Sequence, residues 1–274
     1  MSSGDIRFSF LPETAILDEL LFARIPPIYQ AMGLKSFIIV LVLVSATITS
    51  LFLGGYYALL PVWFLAGLFC VSAASLWATL RIETRRLLTL TATTLAMATL
   101  DEYLHVSTEI YTYFDKGVPS PVSVFGTGLL MIFILATATR LSRFFPWKNK
   151  GLLGTLPTLV SIILLLAFAR VQGYLPILKW PVILLYVVMV AVGIFYAYTH
   201  PIGWTVSLIA SGMTVGATME FVGSLEGMWS FHFLEPLPLF MICIWAFRTL
   251  TVHASCFFLG VDFGLCKYSG KELG

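Results

Sequence analysis

Glu102 and Glu220 are the residues of this chain whose type and setting most invite a chemical reading. Each lies late in an apolar run, in Thr99-Leu-Asp-Glu102 and Ala217-Thr-Met-Glu220, and the two are 118 positions apart. An ionisable side chain inside a membrane span is costly, so it faces a cavity or a partner. A carboxyl that keeps its proton out of water is a candidate general acid. The competing reading for each glutamate is a hydrogen bond or ion pair that fastens helices. Repetition of the context favours function for the pair.

Other groups cluster around them in sequence. Asp101 and His105 are four apart and Glu102 and His105 three apart, so both pairs can share a helix face. Glu-x-x-His is also a ligand spacing of di-metal bundles, but that pattern needs a second copy. The matching position is Gly223 and the chain has only 4 histidines. Metal is therefore set aside, and His105 is expected to donate to a neighbouring acid. Arg248 falls near the middle of its run and requires an anionic partner or a wet pocket. Glu220 is the expected partner, which would leave Glu102 as the better acid. Past each glutamate stand Tyr111-Thr-Tyr113 and Trp229-Ser-Phe231, again offset by 118. They suit an interfacial aromatic belt, or aromatic faces that stabilise a developing carbocation. His253 and the small residues from Ser211 to Gly216, with Gly223, read as helix packing.

The elements that must carry these groups follow from composition. Of 274 residues, 59% are hydrophobic and 11% charged, against about 25% charged in ordinary soluble domains. A soluble globular domain and a disordered chain are both excluded. Net charge is +2, too mild for nucleic acid. The 4 cysteines show no CxxC or zinc spacing, so disulfide scaffolds and structural zinc are not expected. A polytopic helical membrane protein remains. Eight runs reach the roughly 17–25 residues a span needs: 36–59, 61–80, 87–110, 121–141, 153–173, 181–199, 202–225 and 237–260. Strands are not expected, because barrel strands alternate over only about 10 residues. Lysines and arginines number twelve in the segments on the N-terminal side of the membrane and three on the other. That bias places both termini in the cytoplasm, across what is expected to be a prokaryotic plasma membrane. The first 35 residues read as a cytoplasmic lead-in rather than a cleavable signal.

The second half echoes the first. In each, a late glutamate, an aromatic-x-aromatic and a Pro-x-Pro precede an apolar helix, the prolines being Pro119, Pro121, Pro236 and Pro238. Repeats of four spans share one orientation, which predicts a pseudo-twofold axis along the membrane normal. The expected organisation is an N-terminal segment 1–35, a first four-helix repeat 36–150, a second 151–262 and a cytoplasmic tail 263–274.

Nucleophile elbow, Walker loop, dinucleotide fingerprint and HExxH are all missing. By contrast, Glu220-Phe-Val-Gly223, Glu226-Gly-Met-Trp-Ser-Phe231, Pro236-Leu-Pro238 and Trp245 resemble the signature of membrane carotenoid-biosynthesis proteins. The carotenoid hydratases are of that type, and the small membrane lycopene cyclases are more distantly similar. The resemblance covers about 30 residues of the second half and is echoed in the first. Asp101-Glu102-Tyr-Leu-His105 does not match it, and the cyclase PxEE element is absent.

The resemblance implies redox-neutral chemistry without a cofactor. Glu102 or Glu220 would protonate a terminal double bond of an isoprenoid or carotenoid. The cation would form beside Tyr111, Tyr113, Trp229 and Phe231, with Trp245 and Arg248 also lining the site. Water or an internal alkene would capture it, and Asp101 or His105 would take the water's proton. The expected partners are membrane lipid and the apolar substrate, not nucleic acid, with an oligomer or larger membrane complex left open. Two other classes stay open: a parallel-repeat, proton-coupled transporter or lipid carrier, and a non-catalytic subunit of a membrane complex.

Overall fold

The computed structural model describes residues 84–113, 121–225, 229–231 and 239–264, with isolated positions between 67 and 74. The expected N-terminal segment 1–35, the first expected span, nearly all of the second, Glu226, His232 and all of the C-terminal tail beyond residue 264 lie outside the described residues. Six helices and two short strands are described: α1 (Thr84–Ser107), β1 (Tyr111–Tyr113), α2 (Pro121–Leu141), α3 (Leu152–Val171), α4 (Trp180–Thr199), α5 (Ile202–Leu225), β2 (Trp229–Phe231) and α6 (Leu239–Phe258). Helices satisfy every backbone polar group within the segment, which is what lipid demands.

Five of the six helices, α2 to α6, are long and apolar enough to cross a membrane. α1 is the exception. It carries Arg85, Arg86, Asp101 and Glu102, and its buried stripe includes Leu87, Leu90, Thr94, Ala98, Asp101 and His105. The three- and four-residue spacing of that stripe turns its polar groups toward the neighbouring helices. The helix also stops short of the expected end. Its chain turns at 108–110, where Glu109 takes φ 63. Glu109 is exposed there, 3.8 Å from Lys179.

α1 and α5 each pack against both α2 and α6, so these four close a ring. α3 and α4 pack on one another and on α6, α3 also touching α5 and α4 touching α1. α6 is the hub, with 83% of its apolar window buried. The outward faces of α3 and α4 keep Leu156, Val160, Ile163, Leu184, Val187 and Val188 exposed, as a lipid-facing surface would.

The strand pair departs from an all-helical reading. β1 and β2 run antiparallel, with Tyr111 opposite Phe231, Thr112 opposite Ser230 and Tyr113 opposite Trp229. Each strand alternates aromatic, hydroxyl, aromatic, the period of a half-buried strand. The aromatics are buried and the hydroxyls exposed. Thr112 Oγ1 and Ser230 Oγ meet at 3.1 Å. A three-residue strand is too brief to register against spans of twenty or more, which is why the sequence concealed it.

The two strand-bearing segments have equal bounds. α1 and α5 are both 24 residues long. Each glutamate precedes its helix end by five residues (102 to 107, 220 to 225) and its strand by nine (102 to 111, 220 to 229). At the far end of the bundle, residues 145–150 seat the start of α5: Ile202 N–H donates to Asn149 O at 2.8 Å and Gly203 N–H to Trp147 O at 3.1 Å. These carbonyls satisfy donors that a helix start leaves open. A Cβ on Gly203 would run into the Phe145 carbonyl oxygen, a backbone atom that cannot swing aside. Gly203→Ala should therefore lower stability by about 1–3 kcal/mol, read as an earlier thermal unfolding of the purified protein in detergent; an unchanged transition would contradict this seating of α5.

Candidate functional site

The last two turns of α1 and α5, the strand pair and α6 bring most of the expected groups together. Asp101, Glu102, His105, Glu220 and Arg248 are all buried. So are Tyr111, Tyr113, Trp229, Phe231 and Trp245.

Glu102 is held by the strand. The hydroxyls of Tyr111 and Tyr113 both donate to its Oε2, each at 2.7 Å. Oε1 makes no hydrogen bond among the described residues. The Tyr113 hydroxyl also lies 2.7 Å from Ser123 Oγ, which ties β1 to the start of α2. The phenols of Tyr111 and Tyr113 are pushed well above the ordinary value, first by burial and then by the Glu102 carboxyl beside them. They remain donors through neutral pH.

Arg248 bridges the halves. Its Nη2 pairs with Asp101 Oδ2, and its Nη1 lies 3.9 Å from Glu220 Oε1. The expected partner, Glu220, is thus the more distant of two. Glu220 Oε1 instead accepts a 2.8 Å bond from the Trp245 indole N–H. The Arg248 guanidinium lies 4.9 Å from the centre of that ring, a cation–π distance.

His105 completes the cluster. Its Nδ1 is 2.7 Å from the Asp101 carbonyl oxygen and 3.3 Å from Asp101 Oδ1. A carbonyl only accepts, so Nδ1 carries a hydrogen, and in the neutral imidazole Nε2 is then the acceptor. Tyr186 of α4 donates to that Nε2 at 2.5 Å. His105 also stacks on Tyr111 at 5.4 Å between ring centres. No group of three or more metal-ligating side chains is placed to hold a metal ion among the described residues. His253 lies deeper in α6, its Nδ1 bonded to Thr249 O at 2.9 Å.

Between α1, α2 and α6 runs a narrow crevice. Asp101, Glu102 and Arg248 form its polar wall, and Met97, Met131 and Val252 belong to its apolar wall. It has room for about one water molecule. Sequence reasoning missed Tyr186, Ser123 and the crevice methionines. Tyr186 had one signal: a tyrosine inside an apolar helix needs a partner for its hydroxyl. The methionines had none, since their role comes only from packing. Comparison of the chain with protein-family models, curated proteins and solved structures finds no match.

Two outcomes follow. Arg248→Met should cost about 3–5 kcal/mol, because it leaves buried Asp101 without its countercharge. Adding Asp101→Leu should recover much of that loss in the same thermal-unfolding assay; a purely additive double variant would deny the pair. The tyrosines set a pH limit. A raised folded-state value means that the contribution is intact below about pH 10. It is lost as pH rises toward the folded value. Thermal stability should fall through alkaline pH, less steeply in Tyr111→Phe; equal slopes would contradict the assignment.

Proposed function

We propose that the protein is an integral membrane enzyme that protonates a carbon–carbon double bond of an apolar isoprenoid or carotenoid, with Glu102 as the acid. One observation carries the reading: both tyrosine hydroxyls address Glu102 Oε2, while Oε1 takes no such bond. That is the pattern of a carboxylic acid whose carbonyl oxygen is polarised and whose other oxygen can bear a transferable proton. It lies on a crevice with apolar walls. Charge count supports it. Three carboxyls surround one guanidinium, so with His105 neutral the cluster is neutral only when two protons are bound. Asp101, in direct contact with Arg248, is the carboxyl best suited to stay ionised. The protons then belong on Glu102 and Glu220.

In the proposed reaction the Oε1 proton forms a new C–H bond at one alkene carbon, leaving a tertiary cation at the other. The glutamate left behind is stabilised by the hydroxyls of Tyr111 and Tyr113; the apolar wall of the crevice itself is made of methionine and small or aliphatic side chains rather than of the expected aromatic faces. Water adds to the cation, and its spare proton returns through Asp101–His105 or to Glu102. The sum is addition of water; capture by an internal alkene instead closes a ring and moves the cation onto it, and loss of a neighbouring proton to Glu102 restores both the double bond and the acid. The crevice matches the water, so the polyene's reacting end must part the helices to reach the acid.

The same proposal takes the chain as eight spans in two parallel repeats with both termini cytoplasmic. The equal bounds of α1 and α5 support the repeat, as does the strand register; the sidedness rests on the lysine and arginine bias alone. Thr112 and Ser230, equivalent at an offset of 118, face each other, as they would on a pseudo-twofold axis. A second reading has an observation of its own. A water-sized crevice beside bridged acids also suits a proton-coupled carrier. Glu102→Gln and Glu220→Gln, expressed separately with a carotenoid precursor, decide between them. Glu102→Gln should abolish the hydrated or cyclised product. Full turnover by Glu102→Gln removes the proposed acid, and proton flux into proteoliposomes without product would favour the carrier.

A further inference from the structure

The crevice at Glu102 has a counterpart at Glu220 that is filled. The prolines Pro119 and Pro121 correspond to Pro236 and Pro238 at an offset of 117, but packing sets 118 within the helices: Thr127 and Met131 line the crevice with Thr94, as Trp245 and Thr249 meet Gly212. Adding 118 to Thr94, Ala98, Glu102 and Thr127 gives Gly212, Gly216, Glu220 and Trp245. In the first half these four positions line the crevice. In the second, a Cβ on Gly216 would run into the Trp245 indole, and one on Gly212 into Thr249. The Trp245 ring therefore occupies the volume that Thr127 leaves open, and its N–H closes on Glu220 at 2.8 Å.

The rest of the surroundings correspond in the same way. Tyr111 stacks over His105 in the first half. At the equivalent positions, a Cβ on Gly223 would run into the Trp229 ring. Where the first crevice has Asp101 and, across from it, Arg248, the second has Met219 and Leu130. Leu130 is buried.

We propose that Trp245 plugs a latent second half-site, so that among the described residues Glu102, and not Glu220, faces an open crevice. The inference rests on the acid reading and names which half performs it. Plug and glycines form one unit: an indole fits at 245 because 212 and 216 lack side chains, whereas Thr94 and Ala98 would obstruct one at 127. Glu220 is then a positioning residue that accepts from the Trp245 N–H and stands 3.9 Å from Arg248 on the closed side.

The test reads access rather than turnover: the crevice at rest has room for about one water molecule, so the reagent, like the polyene, must part the helices there, whereas at Glu220 it would also have to displace the Trp245 ring. Dicyclohexylcarbodiimide is an apolar reagent for protonated carboxyls. The acid proton moves to a carbodiimide nitrogen, the carboxyl oxygen bonds to its central carbon, and an oxygen-to-nitrogen shift leaves a stable acylurea. The full chain in membranes is treated and the labelled residue located by mass spectrometry. Glu102 should carry the label and Glu220 little. Trp245→Thr should raise label on Glu220 several-fold, and Trp245→Phe, which keeps the ring without the N–H, should leave it shielded. Equal labelling of both glutamates in the unaltered chain overturns the plug, and that result is decisive even where Trp245→Thr fails to fold. So does a folded Trp245→Thr that leaves Glu220 unlabelled, or a Trp245→Phe that exposes it as fully as threonine does. Product loss in Glu102→Gln is a separate readout, so the acid chemistry can stand where the plug fails.

Discussion

A single guanidinium buried among three carboxyls is the constraint on which the rest of the site depends. Arg248 contacts Asp101 from α1 and approaches Glu220 from α5, and it shares a crevice with Glu102. Charges taken out of water are tolerated only when paired and hydrogen-bonded. One cation cannot compensate three anions, so the cluster has to bind protons or gather donors. The tyrosines and Trp245 are the donors it gathers. The strand pair exists in the same service, since β1 carries both hydroxyls that reach Glu102 and β2 holds β1 in register.

The ring of α1, α2, α5 and α6 then follows as the scaffold that brings these groups to one depth. α6 supplies Arg248 and Trp245 from its buried centre, and α4 supplies Tyr186 to fix the His105 tautomer. Packing and electrostatics are coupled here. Gly216 and Gly223 admit the rings of Trp245 and Trp229, and Trp245 in turn places its N–H on Glu220. Close approach at the glycines is what lets the second glutamate be satisfied without tyrosines.

Much of this was legible in the residues. Six expected spans coincide with described helices, five of them long and apolar enough to cross a membrane, because lipid requires long unbroken apolar runs and such runs are hard to mistake. The importance of Glu102, Glu220, Asp101, His105 and Arg248 was legible for the converse reason: a charge in such a run needs an explanation. What could not be read was who meets whom. Arg248 looked closest to Glu220, its neighbour one helix away in the chain, yet its contact is Asp101 on α1. Helix order in space decides that, and apolar periodicity is silent about it. The aromatic triplets resembled an interfacial belt, and their alternation over only three residues hid a strand pair. Tyr186 and the crevice walls depend on packing alone.

The central claim is that Glu102 is the acid, its transferable proton on the oxygen that Tyr111 and Tyr113 leave free. Infrared spectroscopy of the full chain in membranes tests it most directly, through the carbonyl stretch that only a protonated carboxyl shows. Part of that absorption should disappear in Glu102→Gln, a further part in Glu220→Gln, and none in Asp101→Asn. A spectrum without protonated carboxyl absorption, or one unchanged by Glu102→Gln, would contradict the account.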